Sequence, residues 1–277
     1  MHAIVIAGGK GTRLGSLTAE TPKALMRFGE FTLLEITLLR LREAGADRVT
    51  LCVSHLGEVI EQVIGSGDAL EIAVEYCHDP TPLGTAGPLR QVPRWDEPAL
   101  VMNCDILTAL DFGRLYRRHV DSGACLTVAT QRRHVVVPFG VIEFAETGHE
   151  VRAIREKPSL PFEVSAGIYV VDPKVRELIP GQEPTDMPTL MGALLEEGHS
   201  VQASSFTDVW HDIGTPAGYQ AAQRDFATDP TAYLMPKIAT PPPRADDLLI
   251  SSPPSSENMK ARTSWASNLT RTPRTWR

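Results

Sequence analysis

The stretch AIVIAGGKGTRLGSLTAETPKAL, from Ala3 to Leu25, decides how this chain is read. A short apolar run, Ala3 to Ala7, has the length of a buried strand and empties into glycines at 8, 9 and 11. Thr12 and Arg13 follow, and Pro22-Lys23 comes ten residues after Arg13. Glycines let backbone amides approach an anion closely, and Arg13 and Lys23 add two fixed charges. The stretch therefore reads as a triphosphate-binding loop at the carboxyl end of a strand. Two common phosphate loops are excluded by counting. A Walker A loop needs G-x-x-x-x-G-K-[ST], and here Lys10 follows Gly8-Gly9 and precedes Gly11. The dinucleotide fingerprint G-x-G-x-x-G would put glycine where Leu14 stands.

Working outward, strand-like and helix-like segments alternate through the first half. Thr32-Leu33-Leu34-Glu35 matches a capping box and opens a helix to about Ala44, with Gly45 as its stop. Strands are expected at Arg48 to Ser54, Glu71 to Cys77, Ala99 to Asn103 and Ala124 to Ala129. Helices are expected around Glu58 to Ile64, Thr85 to Gln91 and Asp111 to Asp121. That order implies a parallel sheet with helices on both faces and sites at the strands' carboxyl ends. The second half is richer in strands (Phe139 to Phe144, Val151 to Arg155, Val164 to Val171), with helices near Asp186 to Glu197 and Pro216 to Ala227. No internal repeat is visible, and no hexapeptide period announces a β-helix.

The 277 residues suit one large domain and a second kind of segment. Residues 1–236 read as the domain. Residues 237–277 contain PPP, PP and eleven Ser or Thr, and read as a disordered tail. The tail holds seven basic residues against three acidic ones, so the net charge of −7 leaves −11 on the body. An acidic body disfavours a broad nucleic-acid face, and any phosphate site has to be built locally. No apolar run approaches the ~18 residues that span a bilayer, and no cleavable signal precedes the first strand, so a cytoplasmic protein with no membrane partner is expected. The four cysteines (Cys52, Cys77, Cys104, Cys125) form no CxxC pair and read as reduced thiols.

The glycine loop has company further along. In order come Gly8 to Leu14, Pro22-Lys23, Pro82-Leu-Gly-Thr-Ala-Gly87, Asn103-Cys-Asp105, Phe139-Gly-Val141, Glu156-Lys-Pro158, Ala166-Gly167 and Trp210-His-Asp-Ile-Gly-Thr215. In these motifs the chain resembles the sugar-1-phosphate nucleotidylyltransferases, over about residues 1–227. Two of the body's four lysines, Lys23 and Lys157, fall where that family keeps functional ones. The resemblance implies a single Rossmann-like, three-layer α/β domain with a mixed, mostly parallel central sheet. It also implies a reaction: a sugar 1-phosphate attacks the α-phosphorus of a nucleoside triphosphate in line, and pyrophosphate leaves. Such a reaction needs positioning and cations rather than a general base, because a phosphate monoester is already largely dianionic at neutral pH.

The roles implied by the resemblance follow residue by residue. Gly8, Gly9, Gly11 and Thr12 would hold the nucleotide, with Arg13 on the β- and γ-phosphates and Lys23 near the α-phosphate. Gly84, Thr85 and Gly87 would lie against the base; a helix cap at Thr85 is a compatible reading. Asp105 and Asp212 would hold Mg²⁺, an ion that takes few protein oxygens and keeps waters, whereas His211 suits it poorly. Lys157 would clamp the sugar phosphate, Glu156 would accept from sugar hydroxyls, and Gly140, Ala166 and Gly167 would line the sugar pocket. A plain surface pair at Glu156-Lys157 and a solvated Lys10 are the competing readings. Cys104 stands where relatives commonly have glycine, and Met26 to Gly29 replaces a stretch that usually contains proline. PLGTAGPL resembles guanylyl-transferring members, which implies GTP. UTP, dTTP, CTP and ATP remain alternatives, as does a non-catalytic relative, although Arg13, Lys23 and both aspartates are kept. The acceptor is a sugar or cyclitol 1-phosphate of undetermined kind, and a homo-oligomer is left open.

Overall fold

The computed structural model describes residues 1–234, apart from positions 10, 19, 20, 80, 147, 180 and 182 and the side chains of Ser16 and Leu17. Lys10 and the expected tail from 237 lie outside the described residues. Thirteen strands and five helices are described. The first half holds β1 (His2–Ile6), β2 (Arg27–Phe28), β3 (Phe31–Thr32), α1 (Leu33–Glu43), β4 (Arg48–Val53), α2 (Gly57–Ile64), β5 (Ala73–His78), β6 (Ala99–Asn103), β7 (Ile106–Thr108) and α3 (Phe112–Ser122). The second half holds β8 (Leu126–Val136), β9 (Val141–Phe144), β10 (Val151–Arg155), β11 (Ser159–Val171), α4 (Met187–Glu196), β12 (Val201–Phe206), β13 (Trp210–Asp212) and α5 (Pro216–Thr228).

Seven strands form the central sheet in the order β12-β8-β11-β6-β1-β4-β5. β1 pairs in parallel with both β4 and β6, and β4 in parallel with β5. β12 runs parallel to β8, while β11 is antiparallel to both β6 and β8. β11 is thus the reversed strand in a mostly parallel sheet, as the family resemblance implies. β1 is buried along its whole length because both faces are covered. Ala3 and Val5 face one core with Leu34, Leu38 and Leu51, and Ile4 and Ile6 face the other with Leu89, Val101 and Leu190.

The capping box at Thr32 is present. Glu35 N–H donates to Thr32 Oγ1 at 3.2 Å, and Thr32 N–H donates to Glu35 Oε2 at 2.6 Å. Among the boundaries that differ from expectation, three have a visible physical cause. The segment after β5 begins its 3₁₀ turn at Gly87 rather than Thr85, because Thr85 is occupied elsewhere. β5 starts at Ala73, since Glu71 takes a left-handed φ of 55° that closes the preceding turn. β8 and β11 run beyond the sheet as a paired arm, Gln131–Val136 against Ser159–Val164, whose residues are mostly exposed and carry no in-out alternation to read. The β9–β10 ribbon is a separate two-stranded sheet, also largely exposed. The cysteines are free, with Cys52, Cys77 and Cys104 buried. Cys52 and Cys77, far apart in sequence, are register partners on β4 and β5. No helix among the described residues is long and apolar enough to cross a membrane.

His2 opens β1 fully buried, with Nε2 2.9 Å from Thr50 Oγ1 and Nδ1 without a partner among the described residues. Burial, reinforced by Arg48, pulls its pKa from 6.5 down to about 4, so the folded protein keeps it neutral. The unfolded chain takes up a proton at this residue once the pH falls below about 6.5, and the folded chain resists until about 4. His2 therefore stabilises fully above pH 6.5 and loses that contribution between 6.5 and 4. Urea unfolding of His2→Gln across this window is expected to show a shallower loss of stability with falling pH than the parent. Parallel curves for the two proteins would refute the assignment.

Candidate active site

The glycine loop leaves β1 in the middle of the sheet, where neighbouring strands deliver their ends to the same edge. Ala7 N–H continues the ladder onto Cys52 O at 2.7 Å, and Cys104 N–H reaches Ile6 O at 3.1 Å. The loop then closes on itself. Gly11 takes φ +62°, and its carbonyl accepts from Thr18 Oγ1 at 2.9 Å and from Leu14 N–H at 2.9 Å. A Cβ on Gly11 would meet Thr18 at 3.1 Å, so both space and backbone sign select glycine there. Leu14 is buried and pins the far side of the loop.

Lys23 sits at the start of a 3₁₀ turn, and its Nζ lies 2.5 Å from Asp105 Oδ2. The two side chains are only 10% and 15% exposed. Asp105 occupies the turn between β6 and β7, and its carbonyl accepts from Ile213 N–H at 3.0 Å. That bond extends the antiparallel ribbon in which Asp212 of β13 pairs with Ile106 of β7. Residues 105 and 212, remote in sequence, thereby come to one edge. Asp212 Oδ1 accepts from Gly214 N–H at 2.7 Å. A Cβ on Gly214 would fall 3.1 Å from Arg13 Nη2 and 2.8 Å from Asp212 Oδ1, so the guanidinium and the second carboxylate crowd the same glycine. Cys104 is buried, and burial with Asp105 beside it pushes its thiol up to about 12. It is an inert packing residue.

Two adjoining clefts open here. One, of about 390 Å³, is lined by Gly8, Gly9, Gly11, Thr12, Arg13, Lys23, Gly84, Thr85 and Asp105, along with Ser54, Asp79, Pro82 and Asn103. The other, of about 370 Å³, is lined by Ala166, Gly167, Asp212, Tyr169, Asp186 and Trp210, and shares Arg13, Thr85, Asn103 and Asp105 with the first. Gly167 has φ +71° at the irregularity in β11, and a Cβ would lie 2.9 Å from Asn103 Nδ2. Trp210 Nε1 donates to Ala166 O at 2.9 Å and holds this wall in place.

Thr85 caps a helix, but a distant one. Its hydroxyl accepts from Met187 N–H at 2.9 Å, at the start of α4, and its own N–H donates to Asp186 Oδ1 at 3.0 Å. Ala86 and Gly87 N–H both donate to Thr185 O. The amides of residues 85–87 are thus spent on anchoring the loop. Gly84 fits because a Cβ there would lie 2.6 Å from Thr185 O at φ +79°. Gly87 packs against Leu83 and does not line either cleft. Gly140, Glu156 and Lys157 stand apart from both clefts, beside the exposed arm. Glu156 and Lys157 are 73% and 64% exposed with 4.0 Å between their charged atoms, and Lys157 holds an unusual φ of 42°. Ser54, Asp79, Tyr169 and Asp186 escaped the sequence reading. Only Asp186 carried a signal, as the residue before Met187-Pro188 at a helix start.

The description "Nucleotidyl transferase" belongs to the family model that matches residues 2–229. A mannose-1-phosphate guanylyltransferase catalytic subunit beta from Drosophila pseudoobscura pseudoobscura is 31% identical over 263 residues, covering 90% of this chain and 68% of the relative. A UTP–glucose-1-phosphate uridylyltransferase from Synechocystis is 29% identical, covering 81% of this chain and 63% of that protein. Among solved structures, that of a glucose-1-phosphate thymidylyltransferase from Bacillus anthracis, described as putative, superposes with a TM-score of 0.66 at 23% identity, covering 83% of this chain and 96% of that one. The model's match takes in the whole sheet and both clefts, and on that ground the chain belongs to the nucleotidyl transferase family.

Proposed function

We propose that this nucleotidyltransferase joins GTP to a sugar 1-phosphate, or a cyclitol 1-phosphate of similar shape, giving a nucleoside diphosphate sugar and pyrophosphate. One observation carries the reading. Two cations and two carboxylates from four separate segments converge where β1, β6 and β13 end, in clefts large enough for two substrates. Arg13 would grip the β- and γ-phosphates, where a guanidinium offers two parallel donors, and would stabilise the departing pyrophosphate. Lys23 would neutralise charge at the α-phosphate. Asp105 already fixes its ammonium group at 2.5 Å, so little is lost in positioning it.

Mg²⁺ fits this donor set. Among the described residues no group of three or more His, Cys, Asp or Glu gathers, but two carboxylates are what magnesium takes when substrate phosphates and waters complete its shell. The hydrogen bonds found here engage Asp105 Oδ2 and Asp212 Oδ1, leaving the other oxygen of each to an ion. Asp105 and Asp212 would hold it, and it would supply charge neutralisation between the attacking phosphate and the α-phosphate. Ala166, Gly167 and Gly140 would leave room for the sugar. Glu156 and Lys157 would meet it from the arm, the glutamate on hydroxyls and the lysine on phosphate. GTP rests on the resemblance of Pro82 to Leu89 to guanylyl-transferring members, and the uridylyl relative keeps UTP as the second reading. Four free cysteines support a reducing, cytoplasmic setting.

Pyrophosphate release, measured with Mg²⁺, five triphosphates and a panel of sugar 1-phosphates, is expected with GTP. Silence across every pair would sink the enzymatic reading. Arg13→Ala and Asp105→Asn are each expected to lower kcat by about 10²- to 10³-fold, Arg13→Ala with the parent's melting curve and Asp105→Asn with a lower Tm because Lys23 loses its buried partner. Undiminished turnover in Asp105→Asn would show that the metal is held elsewhere. Lys157→Ala should raise KM for the sugar phosphate several-fold while leaving KM for the triphosphate unchanged. A rise confined to the triphosphate would reverse that assignment.

A further inference from the structure

β9 and β10 form a two-stranded ribbon outside the central sheet, and the two strands pack chiefly on each other. The register pairs Phe144 with Val151 and Ile142 with Ile154, so these four side chains share one face. All four are open to solvent, at 57%, 49%, 48% and 69% of their surface. The opposite face carries Val141, Glu143, Ala153 and Arg155. There Val141, Glu143 and Ala153 are half-buried, and Glu143 Oε1 meets Arg155 Nη2 at 2.5 Å. The pattern is inverted, with the ion pair on the more sheltered face and the apolar face outward.

An antiparallel ribbon that faces water on one side ordinarily turns its polar residues that way. A two-stranded ribbon is also marginal in water unless a face of it packs on something. Apolar residues exposed singly need no explanation, but a contiguous apolar face does. At these exposures the four side chains present roughly 400 Å² of apolar surface. A standard interface takes about 800 Å² from each partner, somewhat more than half of it apolar. The face therefore supplies nearly all the apolar surface that one side of a stable dimer needs. We infer that a second copy of this chain docks here, ribbon on ribbon about a two-fold axis.

The face suits a copy of itself. A two-fold contact repeats each pairing, residue i on j and j on i. With the axis across the strands, Phe144 of one protomer lies over Ile142 of its partner, and Val151 over Ile154. The ring then meets an aliphatic side chain at both ends of the contact. None of the four residues carries a charge, so the centre of the contact avoids the cost of burying one. A lipid surface is the poorer occupant, because anionic headgroups repel an acidic body. No residue of the ribbon lines either cleft, and the contact does not draw on the groups assigned to substrates.

Sedimentation equilibrium of the full chain over a concentration series reads the state directly. A two-protomer mass is expected at roughly tens of micromolar, and a single-chain mass on dilution. Phe144→Glu and Ile154→Glu put a charge on the face at exposed positions, and both should keep the parent's melting curve. In each, the dissociation constant should rise at least about 10-fold. Val63→Glu alters a residue of α2 that is 43% exposed, and should leave the dimer unchanged. Amide hydrogen exchange in β9 and β10 should slow as the parent's concentration rises. A parent that stays monomeric throughout would overturn the inference, and so would exchange that ignores concentration. A dimer that survives both ribbon substitutions, or that Val63→Glu breaks equally well, would place the contact elsewhere and overturn it too.

Discussion

The parallel pairing of β1 with β4 on one side and β6 on the other is the constraint on which the site depends. Parallel strands end on the same edge, so the glycine loop after β1, Ser54 after β4, Asp79 after β5 and Asp105 after β6 open onto one cleft. Burial on both faces fixes the register, since slipping β1 by one residue would exchange Ala3 and Val5 for Ile4 and Ile6 between the two cores. β1 also leads to β4 on one side while β6 lies on the other, and an open α/β sheet forms its crevice at such a reversal of strand order.

On that edge, charge is balanced before any substrate arrives. Lys23 and Asp105 are mostly buried and paired, and an isolated buried charge of either sign would be strongly unfavourable. The pair therefore stores a cation and an anion in register with the β1–β6 crevice, without the flexibility of exposed ion pairs, which stabilise little. Asp212 is brought in by a different device, the short β7–β13 ribbon, and is oriented by Gly214 N–H. Covalent spacing plays no part in bringing 105 and 212 together. Two backbone bonds do it, Cys104 N–H to Ile6 O and Ile213 N–H to Asp105 O, and Gly214 N–H then holds the Asp212 carboxylate through Oδ1.

The sequence was legible where local physics decides and opaque where long-range pairing does. The Thr32–Glu35 box, the strand leading into the glycine loop and the β10 boundaries follow from nearest-neighbour chemistry, and the structure has them. Thr85 was readable as a cap but not as the cap of α4, because its partner Met187 lies 102 residues away. Gly84 reads as room for a ligand, and the structure adds a second cause, the carbonyl of Thr185. Asp79 gave no signal, since a lone acidic residue before Pro80 looks like a turn until its burial is known. The arm formed by β8 and β11 outran its expected ends because exposed strands lose the alternation that marks a half-buried one.

The two halves of the site are supported in different ways, and this bears on what each can specify. The side proposed for the nucleotide is built on ladder ends and capped loops, with the amides of residues 85–87 tied to Thr185 and Asp186. Its groups are held by the core and can discriminate by fixed geometry. The residues that resemblance assigns to the acceptor divide. Ala166 and Gly167 are held against Trp210 and Asn103, whereas Glu156 and Lys157 stand exposed in the bend between β10 and β11. Lys157 nevertheless holds φ at 42° before Pro158, a backbone state unfavourable for a residue with a side chain. Glu71 holds a like φ of 55° simply to close a turn, so the backbone of Lys157 marks the reversal between β10 and β11, and the role proposed for its side chain rests on the resemblance.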